Sequence, residues 1–138
     1  MFREDYIHRL IRQLAEAIAR ITGLRKAGRY QETLDACERA WGDLLDVPRE
    51  LVDVTDTPTL AGMLRDPERM RVAAQLLTEE GHALEGKGDP LTAALRFRKA
   101  LELVLEARAM APGPDDDNAV LELGRRVPAN TIDARYRT

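Results

Sequence analysis

Histidine and cysteine, the types most used in acid–base, nucleophilic and metal chemistry, occur three times in all in this 138-residue chain, and their spacing argues against each kind in turn. His8 and His82 are the only histidines, and they do not form the i, i+4 pair with which one helix face holds zinc. Each reads as a polar residue on a helix flank. Cys37, the single cysteine, has no second thiol for a disulfide or a zinc site, so a reducing, cytoplasmic setting is expected. It also falls on an apolar stripe, where a thiol behaves as a small hydrophobe. Asp115-Asp116-Asp117-Asn118 supplies oxygen ligands, but calcium loops alternate their ligands around a central glycine and end on glutamate. Consecutive acids ahead of a helix read as N-caps. Gly86-Lys87-Gly88 matches no phosphate-binding loop and reads as a turn between helices. The expectation is a protein that is not an enzyme, with no catalytic residue, cofactor or metal.

Composition narrows the partners. The chain is 44% hydrophobic and 33% charged but only 4% aromatic, which suits a globular core and gives little for base stacking. The net charge of −3 conceals a segregation: residues 1–29 hold seven Arg/Lys against three Asp/Glu, and residues 31–68 hold three against ten. Pairing of a basic first helix with an acidic second one is the expected use of this pattern, with a basic face for an acidic partner as the alternative. Overall acidity argues against nucleic acid as a partner. The opening MFREDYIHRL alternates charged and apolar side chains and predicts no signal peptide, and no apolar run approaches the ~20 residues of a membrane span. A soluble protein without a membrane partner is expected.

The elements that must carry these residues are helices. Phe2, Tyr6/Ile7, Leu10/Ile11, Leu14, Ile18 and Ile21 recur at steps of three and four, predicting a helix from Arg3 to Lys26 that stops at Gly28. Arg3, Arg9, Arg12 and Arg20 fall largely off that stripe. Tyr30, Leu34, Cys37, Trp41 and Leu44/Leu45 predict a second helix closed by Pro48, antiparallel to the first because the turn between them is short. Trp41 is expected in the core. Asp46–Asp66 is irregular: Pro48 begins one helical turn packing Leu51, Val52 and Val54, and Thr57-Pro58 caps a short helix through Leu64. Asp66-Pro67-Glu68 and Asp89-Pro90 each combine a capping carboxylate with a proline of pre-set φ. They predict helices from there to Gly86 and from Leu91 to Ala109, the latter carrying Leu91, Ala94/Leu95, Phe97, Leu101 and Val104/Leu105. Pro112-Gly113-Pro114 ends it, and a short helix Ala119–Arg126 follows. Residues 1–127 form a single domain in this reading. Residues 128–138 form a C-terminal tail that is frayed or docked on a partner.

Two stretches repeat. GRYQETLDACERA (Gly28–Ala40) aligns with GDPLTAALRFRKA (Gly88–Ala100), which continues into LEL. This resembles the turn and second helix of a tetratricopeptide repeat, a helical hairpin in which small residues let paired helices approach and a bulky one fills the gap. In the second unit Gly81 is the small residue of the first helix, with Ala93, Phe97 and Ala100 the small-large-small set of the second. In the first unit Ile21 stands where the family has glycine. The two glycines lie 60 residues apart rather than the 34 of tandem repeats, because Asp46–Asp66 intervenes. The opening Asp5-Tyr6-Ile7 and Arg9-Leu10-Ile11-x-Gln13-Leu14 is also similar to the start of a small bacterial family of unknown function with such repeats. The fold class implied is all-α, two antiparallel hairpins with an inserted short-helix segment.

For function, the resemblance implies a non-catalytic protein–protein interaction module, whose partner is another protein or a second copy forming a homodimer. Some tetratricopeptide domains clamp a peptide carboxylate with Asn, Lys and Arg, but the corresponding positions here hold Ala19, Thr22, Glu79 and His82. The candidate partner groove is instead Arg25, Lys26, His82 and Glu85. The alternative is a small-molecule-binding or enzymatic bundle with a cavity lined by Tyr30, His82 and Glu85.

Overall fold

Glycine and proline punctuation sets where the helices begin and end. The computed structural model describes residues 2–137, with the side chains of Phe2 and Arg3 outside the description, as is Thr138 of the tail. Helix α1 (Phe2–Lys26) stops because Gly28 turns to φ +78°, donating to the Arg25 carbonyl at 3.0 Å while Arg29 N donates to that of Leu24 at 3.0 Å. This is the pair of bonds that closes a helix through a left-handed residue. Helix α5 (Pro67–Gly86) ends in the same way: Gly88 takes φ +86° and donates to Glu85, and Asp89 donates to Leu84. Helices α2 (Tyr30–Asp43) and α6 (Pro90–Met110) follow at once. The two hairpins therefore share one turn geometry, as the repeated sequence predicts.

Between them lie α3 (Arg49–Val52) and α4 (Thr57–Leu64), and α7 (Asp116–Gly124) follows α6. Among the described residues there is no strand, so the all-α class holds. Asp66 caps α5 by accepting from Glu68 N at 2.7 Å, and Asp89 caps α6 by accepting from Thr92 N at 3.2 Å.

Several local expectations shift. Helix α2 ends at Asp43, ahead of Pro48, because Asp46 takes φ +56° and the chain folds back to bury Leu45 and Val47. Asp56, not Thr57, caps α4, accepting from Thr59 N at 2.8 Å; the Thr57 hydroxyl is free to donate to buried Glu102 at 2.6 Å. Of the three apolar residues expected to pack near α3, Val52 is buried while Leu51 and Val54 are exposed. In α6 the buried side is Ala93, Phe97, Ala100, Leu101, Leu103, Val104 and Ala107, whereas Leu91 and Leu95 face outward. Close approach to α5 explains this choice, since alanines let two helices come nearer than leucines do. Helix α7 begins three residues earlier than expected because Asp116 is drawn inward, accepting from Gly113 N at 2.7 Å.

Helix α5 is the centre of the packing. It touches α1, α2, α4 and, most extensively, α6. At the α5–α6 crossing a Cβ on Gly81 would come within 2.5 Å of the Phe97 ring, and Gly86 similarly admits the Tyr30 ring. Trp41, Leu14, Ile21, Leu76 and Leu77 fill the space between the hairpins. Residues 128–137 make two 3-10 turns, Ala129–Thr131 and Ala134–Tyr136, and lie on their own chain: Ile132 packs against the core and Asp133 N donates to Glu102 at 3.3 Å.

Candidate functional site

The four residues expected to line a partner groove sit at one end of α1 and α5, and two of them, His82 and Glu85, come together. Arg25 reaches across to α5, pairing with Glu79 at 2.5 Å, and Thr22 donates to the same carboxylate at 2.9 Å. Its own hydrogen bond to Glu79 holds the Arg25 guanidinium above its ordinary range. His82 stacks edge-on to Phe97 with ring centroids 5.2 Å apart, and its Nδ1 lies 3.6 Å from Glu85. Burial, followed by the charges of Arg126 and Arg25, lowers the His82 pKa. Arg126, which the sequence did not single out, pairs with Glu85 at 3.3 Å and lies 5.2 Å over the Phe97 ring. Lys26 is exposed and takes no described part. These groups chiefly engage one another.

The strongest electrostatic feature lies deeper. Glu80 is 2% exposed and accepts from Trp41 Nε1 at 2.9 Å and Arg49 Nη2 at 2.5 Å, with Arg96 Nε 3.1 Å away as a further ion-pair contact. Asp53 backs both arginines, at 3.1 Å from Arg49 and 2.8 Å from Arg96. One carboxylate thus joins α2, α3, α5 and α6. Glu102 accepts from Thr57 and from Asp133 N, and Asp116 takes Arg71 Nε at 2.8 Å, which lowers its pKa. Every buried carboxylate described is held by internal donors. Spacing offered one clue to Glu80: it follows Leu76 and Leu77 by four and three positions, on the apolar stripe of its helix.

Cys37 is fully buried, its thiol 3.8 Å from the Leu76 carbonyl, and burial together with the charges of Glu80 and Glu79 raises its pKa. In this setting the reactive thiolate is disfavoured. Among the described residues no cluster of three or more His, Cys, Asp or Glu is placed to hold a metal ion, and no helix is long and apolar enough to cross a membrane.

The feature open to a partner is a groove of about 670 Å³ along the first hairpin. Ala17, Ile21, Leu24 and Ala27 run along one wall and Ala36, Ala40 and Leu44 along the other, at steps of three and four. Its lining residues belong to α1, α2 or the turn between them, with Leu44 just past the end of α2. Gly23 opens the α1 wall further, since a Cβ there would meet nothing within 4 Å. Arg20, Arg29 and Arg39 edge the groove against one acid, Asp43. Arg29 is paired with Glu32, while Arg20 and Arg39 are exposed and have no ion-pair partner among the described residues. The sequence reading had placed the candidate groove toward α5 and did not identify this one. Ile21 and Leu44 lie on the apolar stripes of the sequence, but a stripe alone does not tell which of its residues another helix covers.

The basic first helix also finds its acid elsewhere than expected. Its described long-range ion pair runs from Arg25 to Glu79 on α5, and among the described residues no ion pair links α1 to α2; the Arg29–Glu32 pair is local to the start of α2. In comparisons of the chain with protein-family models, with curated proteins and with solved structures, no match was found.

Proposed function

We propose that this chain is a non-catalytic protein-interaction module whose α1–α2 groove receives a helix of another protein. The observation that carries this reading is the groove itself: small and apolar side chains along the first hairpin, with Leu24, Ala27, Ala36 and Leu44 accessible beside buried Ala17, Ile21 and Ala40. Ridges spaced at three and four residues accept a third helix by interdigitation. Helices α4 and α7 pack against the opposite hairpin, while Leu91 and Leu95 of α6 stay exposed. Tetratricopeptide-like units work by this kind of stacking. Three features support that likeness: the shared glycine turns, Gly81 beneath Phe97, and Gly86 beneath Tyr30. The commitment of the buried carboxylates to internal donors supports a structural use of those groups over acid–base chemistry.

Site-specific photo-crosslinking in the source cell tests the reading. A crosslinker at Gly23 or Ala27 is expected to trap a defined protein, and one at Leu91, exposed on α6, is not. The Gly23→Trp variant, with its crosslinker at Ala27, is expected to lose the product. Equal products from both faces, or a product indifferent to Gly23→Trp, contradict it.

A further inference from the structure

We infer that the occupant of the α1–α2 groove is an acidic amphipathic helix of another protein and not a second copy of this chain, an inference that rests on the groove being a helix-docking site. Charge is the first reason. Three arginines and one aspartate line the groove, and Arg20 and Arg39 stand exposed on its two walls without a carboxylate partner among the described residues. A symmetric dimer would place two such faces together, six arginines against two aspartates, and would leave the interface short of acid.

The second reason is a precedent inside the fold. Helix α5 already packs on α1 and α2, and it does so with two adjacent carboxylates. Glu79 goes to Arg25 and Thr22, and Glu80 goes to Trp41 and Arg49. The hairpin thus holds one helix by an apolar ridge and by Glu79, which meets its Arg25, while Glu80 meets its Trp41 and Arg49 of α3. The open groove offers the same combination, with Leu24, Ala36 and Leu44 for the ridge and Arg20 and Arg39 for the acids. From Ala17 to Ala27 the α1 wall is about 15 Å long, which matches roughly three helical turns. The small wall residues leave room for leucine or methionine on the incoming helix, with glutamate or aspartate on either side of that ridge.

The probe is a fluorescein-labelled helical peptide of about four turns, with an Ala/Leu face flanked by glutamates, beside a twin carrying lysines in their place. Fluorescence anisotropy is expected to give at least about tenfold tighter binding of the glutamate peptide, weakening as salt rises. The double variant Arg20→Glu/Arg39→Glu is expected to reverse the preference. Gly23→Trp is expected to abolish binding of either peptide. Its fold should persist, since its Cβ points into open space, and Trp41 burial and circular dichroism check that. Equal binding of both peptides, still lost in Gly23→Trp, overturns the acidic preference and leaves the docking groove standing. Binding of neither, or binding indifferent to Gly23→Trp, overturns both readings. A dimer in sedimentation analysis that Gly23→Trp dissolves overturns the choice of a foreign helix.

Discussion

Replacing Glu80 with alanine removes the acceptor on which four helices converge. Arg49 and Arg96, with side chains 13% and 18% exposed, lose their buried partner, and Trp41 Nε1 loses its acceptor. Breaking a buried pair by removing one member costs about 3–5 kcal/mol, because the remaining charge stays in a poorly solvated site. Asp53 lies within 3.1 Å of both arginines and offsets part of that loss, which places the expectation near the lower end, about 3 kcal/mol. For a domain whose whole stability is about 5–15 kcal/mol, this is a large fraction. Trp41 is the only tryptophan and touches the deleted carboxylate, so its fluorescence reports the transition directly. In urea, with a slope of about 1.5 kcal/mol/M, the midpoint should fall by about 2 M. Glu80→Gln, which keeps an acceptor but loses the charge, should fall in between. Arg29→Ala, which breaks an exposed pair with Glu32, should change stability by less than about 1 kcal/mol. A loss at Glu80→Ala as small as that of Arg29→Ala refutes the view that this carboxylate joins the two hairpins.

Gly81→Ala forces a methyl within 2.5 Å of the Phe97 ring; overpacking of about 1–3 kcal/mol outweighs a helix-propensity gain of up to about 1 kcal/mol, so Tm falls by several degrees. A rise in Tm, read by circular dichroism, contradicts that contact. Asp116→Asn loses charged hydrogen bonds from Arg71 and from Gly113 N, about 2 kcal/mol at neutral pH. The Asp116 pKa is depressed in the fold, so its contribution is complete above the ordinary carboxylate range and disappears as pH drops below about 4. Stability curves of the two proteins that stay parallel through that range count against it. His82 should titrate by NMR below the ordinary histidine value of 6.5, because burial and the charges of Arg126 and Arg25 oppose its protonation. The fold then weakens slightly as pH falls through that region, since the unfolded chain binds the proton first. A midpoint above 6.5 contradicts the described environment.

The helices were legible where their signals are local. Gly28 and Gly88 announce left-handed turns, and Asp66-Pro67 and Asp89-Pro90 combine a cap with a pre-set backbone angle, so α1, α5 and α6 begin and end within a residue or two of expectation. The errors come from contacts distant in sequence. Thr57 has the chemistry of a cap, but Glu102, 45 positions on, takes its hydroxyl and leaves the cap to Asp56. Leu91 and Leu95 fit a helical stripe as well as Ala93 and Ala100 do; only the approach of α5 decides which side is inside. Glu79, Glu80 and Asp116 look like surface charges until Arg25, Arg49 and Arg71 are brought against them from other helices. Of the candidate set, Arg25 meets Glu79, His82 and Glu85 lie side by side, and Lys26 is exposed. The set missed the groove because grooves are made by what small residues leave empty.

Chemical-shift mapping tests the central claim most directly: the labelled protein is titrated with the glutamate peptide and its backbone amides are followed. The account predicts shifts confined to Ala17–Ala27 and Ala36–Leu44, the two walls of the groove. Shifts centred on His82 and Glu85 in α5, or on the outer face of α6, contradict it.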